Sequence, residues 1–136
     1  MDVKVVIGTK DGKSYQQELK GAQGDVLHNK KIGDTVSGDA MGFSGYEFLI
    51  TGGSDKCGFP MRKGIQEARK GVLIGKSVGF NGKKRRLGKK TVRKTQYGLL
   101  RRRTVCGERI SKIINQVNLK VVKVGTHVFV AAQKAK

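Results

Sequence analysis

The chain has 136 residues and carries 29 Lys and Arg against 10 Asp and Glu, a formal net charge of +19. This length suits one domain, and about a quarter of the residues are Val, Ile, Leu or Phe, enough to build a core. No stretch approaches the roughly 18 apolar residues of a membrane-spanning helix. The opening MDVKVVIGTK also lacks the features of a secretory signal. We therefore expect one basic domain over residues 1–136 that is cytoplasmic and has no membrane partner.

The first elements predicted along the chain are two strands joined by a tight turn. Val3, Val5 and Ile7 lie two residues apart, which is typical of a strand with one buried face. Asp11-Gly12 is a strong hairpin-turn signal, and residues 15–19 alternate again. The start of the chain is thus predicted to form a β-hairpin.

The middle of the chain predicts a short helical turn and two further strands. The helical turn is expected around Val26-Leu27, where the periodicity is weak. The run Tyr46–Thr51 (YEFLIT) is nearly continuous in apolar residues, which predicts a strand buried on both faces. It is expected to enter a turn at Gly52-Gly53. Val72–Ile74 is a further short strand.

The stretch Ile110–Val124 fits two patterns. Its apolar residues recur at spacings of three, four and seven, as on a helix, but residues 117–121 also alternate as in a strand. Because β-branched residues dominate, we expect a strand, a turn at Asn115-Gln116 and a second strand. One more strand is expected at Val128–Val130, followed by a frayed end at 131–136.

The composition as a whole predicts a mainly β protein. Val and Ile number 23 against 14 Leu and Ala, and β-branched side chains favour strands. There are 20 glycines and a single proline, which indicates tight turns between short strands.

The positive charge is concentrated in one part of the chain. Residues 1–55 hold six basic and eight acidic side chains, whereas residues 56–136 hold 23 basic and two acidic ones. The densest segment is 83–109, a long basic loop with twelve basic residues. A single-sign run this dense repels itself unless counter-charge arrives, which favours a nucleic-acid partner over a merely solvated face. The predicted RNA-binding residues in this segment are Lys83, Lys84, Arg85, Arg86, Lys89, Lys90, Arg93, Lys94, Arg101, Arg102, Arg103 and Arg109.

Three motifs suggest other chemistry and are set aside. Gly71–Ser77 resembles a phosphate-binding loop, but it has three residues between its glycines where four are needed, and no Asp follows Asp55 to hold magnesium. The two cysteines and two histidines lack the paired spacing of a zinc site. Cys57 has no base nearby in sequence to activate it. We therefore predict no enzyme activity, no metal and no cofactor.

The segment ITGGSDKCGFPMRKGI resembles a known family closely. A glycine pair, an acid-lysine pair and GFPM occur at this spacing in the archaeal and eukaryotic small-subunit ribosomal protein family S6e. Further similarities follow in the same order: GVLI, the basic insertion, RRRTVCGERI and NLKVVKVG. The similarity extends over nearly the whole chain.

The resemblance implies a fold, a function and a set of site residues. The fold would be a small bent β-barrel of short strands with one or two short helices. The function would be structural: a constituent of the small ribosomal subunit that binds its ribosomal RNA, contacts other small-subunit proteins and is a monomer outside the ribosome. Lys56, Arg62 and Lys63 would reach RNA. The family's central loop would comprise Gly52, Gly53, Ser54, Asp55, Gly58, Phe59, Pro60 and Met61, with Phe59 and Met61 directed into the core.

The resemblance also suggests a source, and it leaves two alternatives open. Eukaryotic members continue into a long basic helix and a serine-rich tail, whereas this sequence stops at Lys136, which implies the archaeal short form. A basic protein that compacts DNA or RNA outside the ribosome is the main alternative. An enzyme with Cys57 as its nucleophile is the other.

Overall fold

The structure is a computed structural model that describes residues 1–83 and 97–125. These residues are mainly β, as predicted, with one four-residue α-helix, α1 (Ala22–Asp25), and one 3-10 turn (Asp39–Met41). The strands are β1 (Val3–Gly8), β2 (Ser14–Leu19), β3 (Thr35–Ser37), β4 (Glu47–Asp55), β5 (Arg69–Ile74), β6 (Arg101–Cys106) and β7 (Ile114–Lys123). In the described ranges, no helix has the length and apolar character needed to cross a membrane.

Five strands form the larger sheet, in the order β2-β1-β7-β4-β3. The β1–β2 hairpin, β4–β7 and β3–β4 are antiparallel, whereas β1 and β7 run parallel, with Val5 opposite Val117. The central strand, β7, comes from beyond residue 113 and pairs on one side with β1, from the beginning of the chain.

The core lies on one face of this sheet. Successive side chains of a strand point to opposite faces, and in β1 the alternating Val3, Val5 and Ile7 are buried while Lys4 is exposed. Phe48 is fully buried at the centre of an aromatic group. The Phe43 ring meets it edge-on with centroids 5.6 Å apart, and the Tyr46 ring stacks on it at 5.7 Å.

Strands β5 and β6 form a separate two-stranded sheet, here called the ribbon. Arg69 pairs with Cys106 at one end of the ribbon and Ile74 with Arg101 at the other. The Cys106 end is fixed to the segment that follows β4, since the Cys106 N–H donates to the Pro60 carbonyl and the Arg62 N–H donates to the Cys106 carbonyl.

Several predicted elements are confirmed. Strands occur at Val3–Gly8, at Ser14–Leu19 and around 72–74, and a positive φ at Gly12 closes the predicted hairpin turn. The short helix begins at Ala22, slightly before the predicted position, and hydrogen-bonded turns extend it to His28. The closed barrel, by contrast, is not confirmed, because the described strands form two open sheets.

Two strand predictions were wrong in detail. β4 is buried on one face, with Phe48 and Ile50 inside and Thr51 exposed, and it continues through Gly52-Gly53, where a turn was predicted. A register shift between Ile50 and Gly52 bends the strand without ending it. β7 is one ten-residue strand that includes Asn115-Gln116, because pairing with β1 and β4 on both sides overrides the polar local sequence.

The basic segment 83–109 was predicted as a loop and is not a loop throughout. Its end forms strand β6, Arg101–Cys106. Residues 84–96, about half of the predicted loop, lie outside the described residues, as do the predicted strand at 128–130 and the end 131–136.

Candidate nucleic-acid interface

The carboxylate of Asp55 organises the glycine-rich loop, defined here as residues 52–61. Asp55 is the last residue of β4 and is 4% exposed. Its Oδ1 accepts hydrogen bonds from the backbone N–H groups of Cys57, at 2.8 Å, and Phe59, at 2.9 Å. Gly58 between them has φ +82°, a conformation that glycine adopts without steric cost. The Asp-Lys-Cys-Gly-Phe sequence therefore folds into a turn around one buried acceptor.

The other oxygen of Asp55 binds the ribbon. Oδ2 accepts from Arg69 Nε at 2.7 Å and from Cys106 Sγ at 3.3 Å, and Arg69 Nη2 lies 2.6 Å away. Burial raises the pKa of this carboxyl, but the Phe59 N–H, the Cys106 thiol and the Arg69 guanidinium together outweigh burial and hold the pKa below its usual value. Asp55 is therefore an anion that joins β4, β5 and β6.

The remaining loop residues serve packing. Met61 is buried in the core, and Phe59 packs against it at the edge with Arg69 over its ring, 5.4 Å from the centroid. A Cβ on Gly53 would lie 2.3 Å from the Gln116 carbonyl oxygen of β7, so this position admits no side chain. Gly52, Ser54 and Pro60 are partly buried along the same path.

The three cations predicted beside the loop differ in their surroundings. Lys56 and Lys63 are exposed. Arg62 is half-buried, and its Nη1 donates to Ser77 Oγ at 2.9 Å and to the Val78 carbonyl at 2.8 Å. Arg62 thus holds a neighbouring turn in place, a role that its position in the sequence did not indicate.

The three consecutive arginines of β6 do not share a face. Arg101 and Arg103 lie on one side of the ribbon and Arg102 on the other, because side chains alternate along a strand. The Arg103 guanidinium lies over the Phe80 ring, 5.5 Å from its centroid. Arg102 lies opposite the exposed Leu73, and its Nη1 donates to the Gly71 carbonyl at 3.4 Å. The ribbon therefore offers positive charge from both faces.

A second basic area includes residues that sequence analysis missed. Residues 28–31 run antiparallel to 109–110: the Asn29 N–H donates to the Ile110 carbonyl and the Ile110 N–H to the Lys30 carbonyl, each at 2.9 Å. This pairing places Lys30 and Lys31, from the nearly neutral part of the chain, beside the exposed Arg109. About eighty positions separate the two segments, so no local pattern could have revealed the juxtaposition.

Glu108 supports this second area from within. It is 8% exposed and accepts from the Gly64 N–H at 2.8 Å and from Gln66 Nε2 at 3.0 Å. These two hydrogen bonds hold the pKa of the Glu108 carboxyl below its usual value, with a smaller contribution from Lys31, whose Nζ lies 3.9 Å away. Glu108, one of the two acids in residues 56–136, is thus engaged in hydrogen bonds within the protein.

The two cysteines differ in their surroundings. Cys57 is exposed and Cys106 is buried, and burial followed by the neighbouring Asp55 raises the pKa of Cys106 to about 11. Within residues 1–83 and 97–125, no three His, Cys, Asp or Glu side chains come together as metal ligands.

A third basic feature is a shallow depression beside the ribbon. Its lining residues are Lys76, Ser77, Phe80, Asn81 and Lys83. Of the predicted RNA-binding residues, seven lie outside the described part of the chain: Lys84, Arg85, Arg86, Lys89, Lys90, Arg93 and Lys94.

Comparison with protein families first assigns the class: a model of a ribosomal protein matches residues 3–133, nearly the whole chain. That model is described as ribosomal protein S6e, and the chain belongs to this family. The resemblance recognised in the glycine-rich loop is thereby confirmed.

Curated archaeal proteins are similar over nearly their full length. The small ribosomal subunit protein eS6 of Methanococcus maripaludis (strain C7) is 43% identical over 128 residues, which cover 93% of this chain and 91% of that protein. The protein of the same name from Archaeoglobus fulgidus is 40% identical, with coverages of 92% and 90%. That of Natronomonas pharaonis is 37% identical, with coverages of 91% and 88%.

Proposed function

We propose that this chain is a structural constituent of the small ribosomal subunit and binds its ribosomal RNA through lysine and arginine side chains that neutralise phosphates. The observation that carries the proposal is the family match over residues 3–133, which includes both the glycine-rich loop and the basic strand β6. In this role the protein supports translation in the cytoplasm, contacts other proteins of the small subunit and performs no chemical step. Outside the ribosome it is a monomer.

The arrangement of charge supports RNA as the partner. The ribbon and the second basic area present guanidinium and ammonium groups from several parts of the chain, while Asp55 and Glu108 are engaged internally. Arginine binds phosphate bidentately and lysine acts as a point charge. Tyr97 is fully exposed and is the one aromatic residue within 83–109, so base stacking is a minor contribution compared with phosphate contacts.

The test is binding of the purified chain to small-subunit ribosomal RNA over a salt series, with a DNA duplex of similar length as competitor. Neutralising about eight phosphates gives a log–log slope of roughly −6 to −7. We expect this slope together with a clear preference for the RNA at physiological salt. Equal affinity for the duplex DNA would overturn the ribosomal proposal in favour of a general compacting protein.

A further inference from the structure

We propose that the turn Lys76–Lys83 is a preformed binding site for the phosphodiester backbone of RNA. The site is distinct from the predicted basic clusters, since four of its five lining residues were not among the predicted RNA-binding residues. The inference rests on the proposed function and specifies where on the chain one stretch of the RNA backbone is held.

The turn has a defined conformation. The Ser77 N–H donates to the Phe80 carbonyl and the Phe80 N–H to the Ser77 carbonyl, both at 2.9 Å, so two residues form the loop of a miniature hairpin. Gly79 has φ +97° at the third position of this turn, where a type II turn requires positive φ. A Cβ on Gly79 would lie 3.0 Å from Val105 and 3.3 Å from Ile74, so the turn packs directly on the ribbon.

Arg62 fixes the turn from its other side. Its Nη1 bonds both Ser77 Oγ and the Val78 carbonyl, and Ser77 Oγ donates in turn to the Gly75 carbonyl at 3.1 Å. Phe80 is 5% exposed beneath the Arg103 guanidinium. The backbone of the turn is therefore held by packing and hydrogen bonds, so little backbone entropy is lost when a ligand binds.

The depression is built for an anion. Its lining includes two lysines and no acid, and Arg103 lies against Phe80, one of the lining side chains. The Lys83 N–H donates to Asn81 Oδ1 at 3.1 Å. With its oxygen occupied in this way, the Asn81 amide offers its NH2 group as a neutral donor. Two ammonium groups and an amide NH2 line the depression, and these donors suit phosphate oxygens.

The chemistry favours a backbone phosphate over a nucleotide cofactor. In a phosphate-binding loop the hydroxyl that follows the lysine holds magnesium, but here Ser77 Oγ is already bonded to Gly75 and Arg62. The site is also shallow, so it suits a strand that passes across it better than a small molecule that must be enclosed.

The experiment compares two double variants of equal net charge. Lys76→Gln/Lys83→Gln removes two charges from the depression, and Lys10→Gln/Lys13→Gln removes two from the exposed β1–β2 turn. Affinity for small-subunit ribosomal RNA is measured from low to high salt. Each lost phosphate contact flattens the log–log slope by about 0.7–0.9, so we expect a change of about 1.5 for the first variant and almost none for the control. If affinities converge near 1 M salt, this is about a 30-fold loss at 0.1 M.

The outcomes separate this proposal from the broader one. If the unmodified chain binds RNA with strong salt dependence but both double variants behave alike, the depression is not a phosphate site and the proposal is overturned. If the unmodified chain itself shows no preference for the RNA, the proposed function fails instead. Restoring the slope with Lys76→Arg/Lys83→Arg supports the site, and equal urea unfolding curves exclude a folding effect.

Discussion

Asp55 accepts two contacts from a single arginine at one oxygen: Arg69 Nε at 2.7 Å and Arg69 Nη2 at 2.6 Å both reach Oδ2. Arg69 begins β5 and Asp55 ends β4, so this ion pair joins the ribbon to the five-stranded sheet. The acid of the GGSDKCGFPM segment thus serves to position the strands that carry the arginines.

Asp55→Asn is expected to destabilise the protein by about 2–3 kcal/mol. The substitution leaves Arg69 without its counter-charge and weakens the acceptor for the Cys57 and Phe59 N–H groups, and a buried donor that loses its partner costs roughly 1–3 kcal/mol. Urea unfolding measures the change. Asp11→Asn, on the exposed hairpin turn, is the matched control and should change the free energy of unfolding by less than about 0.5 kcal/mol. Equal effects of the two variants would contradict the role given to Asp55.

Acid is expected to lower the free energy of unfolding through two carboxyls, those of Asp55 and Glu108. The pKa of Asp55 is lower in the folded chain than its ordinary value of 3.8, and that of Glu108 is lower than 4.5. The unfolded chain therefore binds protons more readily, so this stability is present above about pH 5 and is lost as pH falls through the folded-state pKa values. The difference in unfolding free energy between wild type and Asp55→Asn should shrink from pH 7 to pH 3. A constant difference would show that the Asp55 charge is not responsible.

Gly52 and Gly53 are adjacent in the sequence but differ in the space available for a side chain. A Cβ at Gly53 would lie 2.3 Å from a backbone oxygen of β7, whereas a Cβ at Gly52 meets nothing within 4 Å. Gly53→Ala should cost about 2–3 kcal/mol by forcing β4 and β7 apart. Gly52→Ala should be neutral or slightly stabilising, because it restricts the unfolded chain. Thermal unfolding of the two variants checks the order, and the reverse order would contradict the register of β4 on β7.

The two thiols should differ sharply in reactivity. Cys57 is exposed, whereas Cys106 is buried with a pKa raised to about 11, so it stays protonated at neutral pH. An aromatic disulfide reagent should consume one thiol per folded chain and two in denaturant. Cys57→Ser should remove the fast reaction. Rapid reaction of both thiols in the folded chain would show that the Cys106 end of the ribbon is open.

Replacing Arg101, Arg102 and Arg103 together with Gln should weaken RNA binding and flatten its salt dependence, by about 2 units of log–log slope if all three contact phosphate. Because the three lie on both faces of the ribbon, single variants should divide the effect. Arg103→Gln should also reduce stability by about 0.5–1 kcal/mol through loss of its contact with Phe80, and Arg102→Gln should not. Binding titrations measure the effect on RNA affinity, and urea unfolding measures the effect on stability. An unchanged log–log salt slope for the triple variant would mean that the three arginines face solvent.

Sequence patterns predicted the local elements well where one face of a strand is buried. The alternation in β1 and β2 and the Asp-Gly turn between them were sufficient to predict the hairpin, because both signals lie within the first twenty residues. The same reasoning misread Asn115-Gln116 as a turn. Hydrogen-bonded neighbours on both sides stabilise that part of β7, and these neighbours lie far away in the sequence.

The residue types of the candidate site were predictable from the sequence, but their arrangement in space was not. Charge counting located the arginines of β6, and the motif located the glycine-rich loop. The partners of Asp55 in the ribbon, Arg69 and Cys106, are 14 and 51 positions away, however. Arg62 is bonded to a turn 15 positions away that no spacing rule connects to it. Such pairings depend on how the ribbon packs on the sheet, which is a tertiary property.

The parallel pairing of β1 with β7 has a consequence for how the chain is made. Val5 and its neighbour Val117 are more than a hundred positions apart, so the central seam of the sheet cannot form until most of the polypeptide has been synthesised. Contacts between such distant residues slow folding. During that interval Arg101, Arg102 and Arg103 have already been synthesised, while the sheet that supports the ribbon is incomplete. A polyanion that reaches the nascent chain early would therefore meet a positively charged, unfinished strand before it meets a finished surface.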